Sequence, residues 1–301
     1  MEESKHTVSA LRINQCSNKD KRSWRISVFE DTKRVASAGV YQTPSGDTVE
    51  LPRLPRESWQ VSYSELQRVE RRYEGTRVEV YEGDCVEAGV RLQELGCNVV
   101  VLNMASSGKP GGGVKNGSGA QEEGLFRRSN YHLHLGNRDR TRYPIAPTEG
   151  IYSPNVVFFR ASESDYYTFL PVPKVLPMVA VPALRHPSLV KRAGNYWLNE
   201  ADFDLVKVKI RLMFKLAAVK GHDAIVLSAW GCGAYANPPL CIATAFKAVL
   251  EEEEFSNCLQ RVVFSIFNDQ NARKAHNPEG NLVPFAQVFN TPVLRSLSDL
   301  V

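Results

Sequence analysis

The sequence has no long uninterrupted hydrophobic run: stretches such as Val172 to Val181 are broken by proline and fall short of the ~20 residues a membrane helix needs. No span is predicted. It also lacks a strong charge of either sign, since 37 Lys and Arg against 33 Asp and Glu leave a net charge of only +4. Charge alone therefore gives no argument for nucleic acid, and any polyanion site must be local. The six cysteines (Cys16, Cys85, Cys97, Cys232, Cys241, Cys258) are far apart, with no CxxC and no His partner at zinc-finger spacing. They read as reduced, mostly buried thiols. Met1 to Lys21 is polar and lacks the apolar stretch of a secretory signal, so an intracellular protein is expected. No Gly/Ser-rich or Pro-rich linker and no internal repeat divides the chain. What is present is the balance of an ordinary globular protein, 43% hydrophobic and 23% charged over 301 residues.

Residues 1–75 read as an N-terminal accessory region. Within it Trp24, Val28, Thr32 and Val35 recur at helical spacing, Pro44 to Asp47 forms a turn between extended pieces, and Ser64 to Arg72 is expected to be a short, charged helix. Residues 76–301 alternate strands and helices. Val78 to Tyr81, a helix Cys85 to Leu95 stopped by Gly96, and Asn98 to Leu102 make a βαβ unit. Gln121 to His134 reads as one helix, Val156 to Phe159 and Val175 to Val181 as strands, and Glu200 to Lys220 as a helix ended by Gly221. A strand Ala224 to Ala229, a helix Pro239 to Glu252 and a last strand Arg261 to Asn268 complete an α/β layering. Glu251 to Glu254 reads as a solvated helix end, and His132 with His134 as surface or packed imidazoles rather than metal ligands.

The most informative stretch is Asn103 to Glu123, which leaves a strand and enters a helix, the position where open α/β sheets bind ligands. Gly111, Gly112 and Gly113 allow backbone to approach a ligand closely and to aim successive N–H groups at an anion. A second loop, Ala229 to Pro239, lies again between strand and helix. Its Gly231, Gly233 and Ala236 fit a dinucleotide-binding spacing, but Pro238 and Pro239 start the helix too late for that motif. A Walker loop fails as well, because Gly108-Lys109 is followed by Pro110. Two such loops suit a diphosphate flanked by sugars that pack on Tyr235 or Trp230, which suggests an ADP-containing ligand. Gln121-Glu122-Glu123 then sits beside that ligand. Acids near phosphates are electrostatically costly, so they call for a reason: chemistry is one, and the preference of helix N-termini for acids is the other.

These residues resemble the microbial-type poly(ADP-ribose) glycohydrolases, whose catalytic region is a macrodomain. The signature is Gly111-Gly112-Gly113 separated by a seven-residue spacer from Gln121-Glu122-Glu123. Supporting matches are Leu102 to Ala105, Arg127-Arg128-Ser129, Tyr152-Ser153-Pro154, Trp230 to Gly233 and Val262-Val263-Phe264. Ala236 stands where the family often has Gly, and Tyr235 where it often has Phe. The resemblance implies a three-layer α/β/α sandwich with a mixed sheet. It implies Glu123 as the catalytic residue, Glu122 orienting the ribose, and Asn103, the Gly111 to Gly113 run and Gln121 at the substrate. By the same resemblance Gly231, Cys232, Gly233, Ala234 and Tyr235 form the second phosphate loop, and Asp84 accepts from the adenine amino group.

The activity implied is hydrolysis of ribose–ribose O-glycosidic bonds in poly(ADP-ribose) with release of ADP-ribose, from the free end of the polymer. Glycosidases commonly flank the bond with two opposed carboxyl groups. Neighbouring helix residues are not expected to face each other, so one general acid, Glu123, is assigned. No metal or cofactor is required, and the expected partners are poly(ADP-ribose) or ADP-ribosylated protein, with no direct nucleic-acid contact, no membrane and a monomeric state. Two other readings compete: a hydrolase of single ADP-ribosyl groups on protein or nucleic acid, and a non-catalytic ADP-ribose-binding macrodomain. The intact acidic triplet disfavours the last, because binding alone needs only the glycine loops.

Overall fold

The computed structural model describes residues 17–135, 140–268 and 272–301; Cys16 lies outside them. Its centre is an eight-stranded mixed sheet of order β12-β4-β11-β10-β5-β7-β6-β3. The strands are β3 (Trp59–Ser62), β4 (Arg77–Glu82), β5 (Val99–Asn103), β6 (Glu149–Arg160), β7 (Phe169–Ala180), β10 (Ala224–Leu227), β11 (Arg261–Ile266) and β12 (Val293–Leu294). From β12 to β7 neighbours run parallel, whereas β6 is antiparallel to β7 and β3 to β6. Every residue of β5 is buried, as expected of a strand covered on both faces. Val100 and Leu102 pack with α5 (Glu200–Val219), α6 (Pro239–Leu250) and α7 (Leu282–Phe289), while Val99 and Val101 pack with α2 (Cys85–Glu94), α3 (Gln121–Arg128) and α4 (Tyr131–Leu135). The alternation of one strand thus divides two apolar layers, and the three-layer α/β/α arrangement is the one expected.

Residues of the N-terminal region are built into this body. The helix α1 (Asn18–Ala38) carries the stripe read from sequence, with Val28, Thr32 and Val35 buried, and Phe29 joins the core against Phe126. β1 (Val40–Gln42) and β2 (Thr48–Glu50) pair across the turn at Pro44 to Asp47. β3 is an edge strand of the main sheet, so the sequence boundary at residue 75 falls inside one hydrogen-bonded structure.

Several elements differ from expectation. The stretch Ser64 to Arg72 forms only a 3-10 turn, Tyr63–Glu65, and beyond it Leu66 and Val69 reach the core without a helix. The helix expected to run to His134 breaks at Ser129 and Asn130. There Ser129 Oγ donates to Leu125 O at 2.6 Å and Asn130 Oδ1 accepts from Val157 N at 2.9 Å, so side chains replace helical bonds. Beyond β11 come α7 and β12, and before α5 the hairpin β8 (Leu189–Arg192) with β9 (Asn195–Leu198), none of them read from sequence. The acidic run at 251–254 is only partly solvated: Glu252 pairs with Arg211 at 2.7 Å and Glu254 with Lys215 at 2.9 Å. His132 and His134 are packed, and burial holds both imidazoles down to about 4. Cys85, Cys241 and Cys258 are buried free thiols, Cys97 is a half-buried one, and Cys232 is buried. Among the described residues no helix is long and apolar enough to cross a membrane.

Candidate active site

Both glycine loops leave the same edge of the sheet, one after β5 and the other after β10, its parallel neighbour. The first returns into α3, whose opening residues are Gln121, Glu122 and Glu123. Gln121 works as a strap: its Oε1 accepts from Met104 N at 2.8 Å and its Nε2 donates to Leu102 O at 2.6 Å. Its amide is engaged with β5 rather than turned outward. Glu122 is buried and accepts from Ser106 N at 2.7 Å, Gly111 N at 3.1 Å and Asn103 Nδ2 at 3.4 Å. The adjoining Glu123 accepts from Gly113 N at 2.8 Å through Oε1, and its buried Oε2 has no hydrogen-bond partner among the described residues.

Gly112 sits between the two acids. A Cβ there would stand 2.7 Å from Glu123 Oε1 and 3.1 Å from Glu122 Oε2, and the backbone has φ +49°. Only glycine fits both the space and the left-handed conformation. Both carboxylates of this adjacent pair thus converge on one backbone point. They do so because the loop wraps the helix N-terminus and offers its N–H groups to each acid.

Burial, together with the neighbouring Glu123, pushes the Glu122 carboxyl up to about 8 against the lowering effect of its donors. Linkage then has a definite sign. The folded protein keeps this proton to higher pH than the unfolded chain, so the stabilisation is full below about 4.5 and is lost as pH rises through about 8. The melting temperature of the parent should fall over that window, and Glu122→Gln should flatten the fall. An unchanged slope in the variant, followed by thermal melts across pH, would reassign the proton.

In the second loop Trp230 is fully buried and donates to Val181 O at 2.9 Å. It is therefore unavailable for sugar packing, a correction to one of the two aromatic candidates. Cys232 is likewise buried. Asn237, unnoticed in the sequence, rivets the loop by donating from Nδ2 to Leu184 O at 2.8 Å and Gly231 O at 3.0 Å. Gly231 has φ +77°, and a Cβ there would meet Ala183 and Asn237 at 2.6 Å. Tyr235 is half-buried, and burial raises its phenol with Glu122 and Glu123 adding to the effect, while Ser106 and Arg185 oppose it. Its ring thus lies within electrostatic reach of both loops. Ala234 is exposed and Gly233 half-buried on the same loop.

Arg185, also missed, is exposed between β7 and β8, on a segment that leaves the same sheet edge and whose next residue, His186, donates its N–H to Tyr235 O at 2.9 Å. Its signal in the sequence was position alone, just past a strand end. Ala236 holds φ +59° without being glycine, a conformation costing roughly 1–2 kcal/mol. Allowing for the greater freedom of unfolded glycine, Ala236→Gly should stabilise the protein by about 0.5–1 kcal/mol. A rise of about 1–2 °C in melting temperature is the expected reading.

Asp84 caps α2, accepting from Val86 N at 3.0 Å and Glu87 N at 3.1 Å, and it pairs with Arg128 at 2.7 Å. Gln121 Nε2 also reaches Cys85 Sγ at 3.3 Å, which ties this corner to the acidic triplet.

Residues 29–161 match the family model of the microbial-type PARG, catalytic domain. The match is to the family which the two motifs resemble. The match starts inside α1 and includes the whole first glycine loop and the triplet. Among solved structures the fold is similar to the poly(ADP-ribose) glycohydrolase of Thermomonospora curvata, at 27% identity and a TM-score of 0.72, covering 88% of this chain and 99% of that one. The same enzyme bound to the inhibitor ADP-HPD aligns at 27% identity with a TM-score of 0.69, over 87% and 98% of the two chains. The Deinococcus radiodurans PARG in complex with ADP-ribose aligns at 25% identity with a TM-score of 0.64, over 77% and 94%. No curated protein matches the chain.

Proposed function

We propose that this chain hydrolyses the ribose–ribose O-glycosidic bond of poly(ADP-ribose) and releases ADP-ribose, with Glu123 as general acid. The observation that carries the assignment is the division of labour between the two acids. Both oxygens of Glu122 accept from the protein's own donors, whereas Glu123 keeps one oxygen without a partner among the described residues. An acid with an uncommitted oxygen is the one able to exchange a proton with a bound sugar. Glu123 protonates the leaving ribose oxygen as the anomeric C–O bond breaks and an oxocarbenium-like centre develops. Water adds to that centre, and its proton returns to Glu123.

Glu122, holding its proton near neutrality, removes one negative charge from beside the diphosphate and orients the ribose. The Gly111 to Gly113 run and the 231–235 loop present backbone to the diphosphate, with Tyr235 packing on the sugar. An adenine contact at Asp84 is shared with Arg128, which already engages both carboxylate oxygens. Asn103 and Gln121 support the site from behind, holding Glu122 and β5 respectively.

A pocket closed around one ADP-ribose favours the free end of the polymer. With end-labelled polymer and mono-modified protein as parallel substrates, early time points should show free ADP-ribose with little oligomer, and the mono-modified protein should persist. Rapid oligomer release would overturn the terminal mode. Efficient removal of the last unit would place the chain among hydrolases of single ADP-ribosyl groups.

A further inference from the structure

The seven-residue spacer of the signature is covered by α1. The backbone of Arg22 abuts Gly117, and the Arg25 guanidinium packs on Gly119, where a Cβ would stand 2.5 Å away. Arg25 donates to Gly117 O at 3.4 Å and to Glu163 Oε2 at 3.0 Å. Burial works against the charge of Arg25, yet Glu163 and, at longer range, Glu123 hold it above its ordinary value. A cation of α1 therefore lies in the field of the proposed acid.

From Arg25 the helix runs outward, and its face continues one turn on with Arg22 and another with Lys19, at three-residue spacing. Opposite them Lys115 stands in the 3-10 turn that follows Gly113, whose N–H holds Glu123. Lys19, Arg22 and Lys115 line a cavity of about 460 Å³ together with neutral residues such as Ser23 and Asn116, and among the described residues no carboxylate lines it. All three are exposed, and among the described residues none forms an ion pair. The nearby Asp20 is engaged by Ser17 at 2.6 Å and does not line the cavity.

A solvated helix face accounts for cations on one helix only. Here cations from two elements converge on a concave surface, one of them two residues along the loop from the Gly113 N–H that holds the acid. We propose that this cavity is the subsite for the diphosphate of the polymer unit next to the scissile bond, on the leaving-group side of the chain. The inference rests on the reading of the site as a poly(ADP-ribose) hydrolase. Once the terminal unit fills the two glycine loops, the next unit leaves past Glu123, and its two negative charges meet Lys115, Arg22 and Lys19. The net charge of the whole protein is small, so this local patch, and not the global field, attracts the polymer. Such contacts are weakened by salt as counterions compete.

The test uses the full chain with Lys19, Arg22 and Lys115 all replaced by Gln. ADP-ribose affinity, read by calorimetry, should stay within about two-fold of the parent, because the terminal pocket is untouched. For polymer at low salt, KM should rise about 10-fold with kcat within about two-fold, and the dependence of KM on salt should become shallower. The single variant Lys115→Gln, an exposed loop substitution that leaves the folded helices intact, should raise KM about two-fold. Unchanged polymer KM and salt dependence in both variants would overturn the subsite. So would a loss of ADP-ribose affinity, which would assign these cations to the terminal unit, or equal competition by single-stranded DNA, which would make the cavity a general polyanion patch. A parent protein that neither binds ADP-ribose nor cleaves polymer would instead remove the underlying activity, an outcome separable from all of these.

Discussion

Replacing Glu123 by Gln is expected to lower turnover on poly(ADP-ribose) by at least ~100-fold, the usual scale for losing acid catalysis. The substitution keeps the shape, and the remaining side-chain oxygen can still accept from Gly113 N, the contact that measures 2.8 Å in the parent. What disappears is the transferable proton on the oxygen that has no partner. Affinity for ADP-ribose should persist, since the glycine loops are unaltered. Single-turnover kinetics together with calorimetry separate the two quantities. A variant cleaving polymer within a few-fold of the parent rate would show that Glu123 is not the acid, and would turn attention to Glu122, whose carboxyl is the one raised to about 8.

Gly112→Val should have the second large effect, a loss of ADP-ribose affinity of about 100-fold, or roughly 2.7 kcal/mol. Two causes act together. A branched side chain is strained at φ +49°, and its Cβ would press on both carboxylates, at 2.7 Å and 3.1 Å. The acids and the phosphate-facing backbone are thus displaced at once, so turnover should fall with affinity. Tyr235→Ala serves as the comparison. It removes part of a half-buried ring without blocking the loop, and should cost about 1–2 kcal/mol. Calorimetry reads both variants, after a thermal melt has established that each is folded. Unchanged affinity in the Gly112 variant would take the first loop out of the binding site.

Much of this site was legible in the sequence because its signals are local. A glycine run between a strand and a helix, and acids in the first turn of that helix, depend on backbone conformation and helix electrostatics that neighbouring residues decide. The α2 helix with its Gly96 stop, the α5 stripe ended by Gly221 and the fully apolar β5 were legible for the same reason. The break at Ser129 was not. It depends on β6, whose Val157 N–H takes the side chain of Asn130 across 27 positions of sequence.

The chain by itself thus determined the alternation of layers, the two loops and the pairing of GGG with the acidic triplet, all of which follow from periodicity and turn chemistry. Tertiary structure decided what each of those residues faces. It buried Trp230 and Cys232, turned Gln121 back onto β5, and brought Glu122 and Glu123 to one point around Gly112. It also laid α1 across the spacer and set Arg25 on Gly117 and Glu163. The physical reason is distance along the chain. Contacts between residues 25 and 163, or 106 and 235, are set by how the sheet edges and helices stack, and no local preference encodes them.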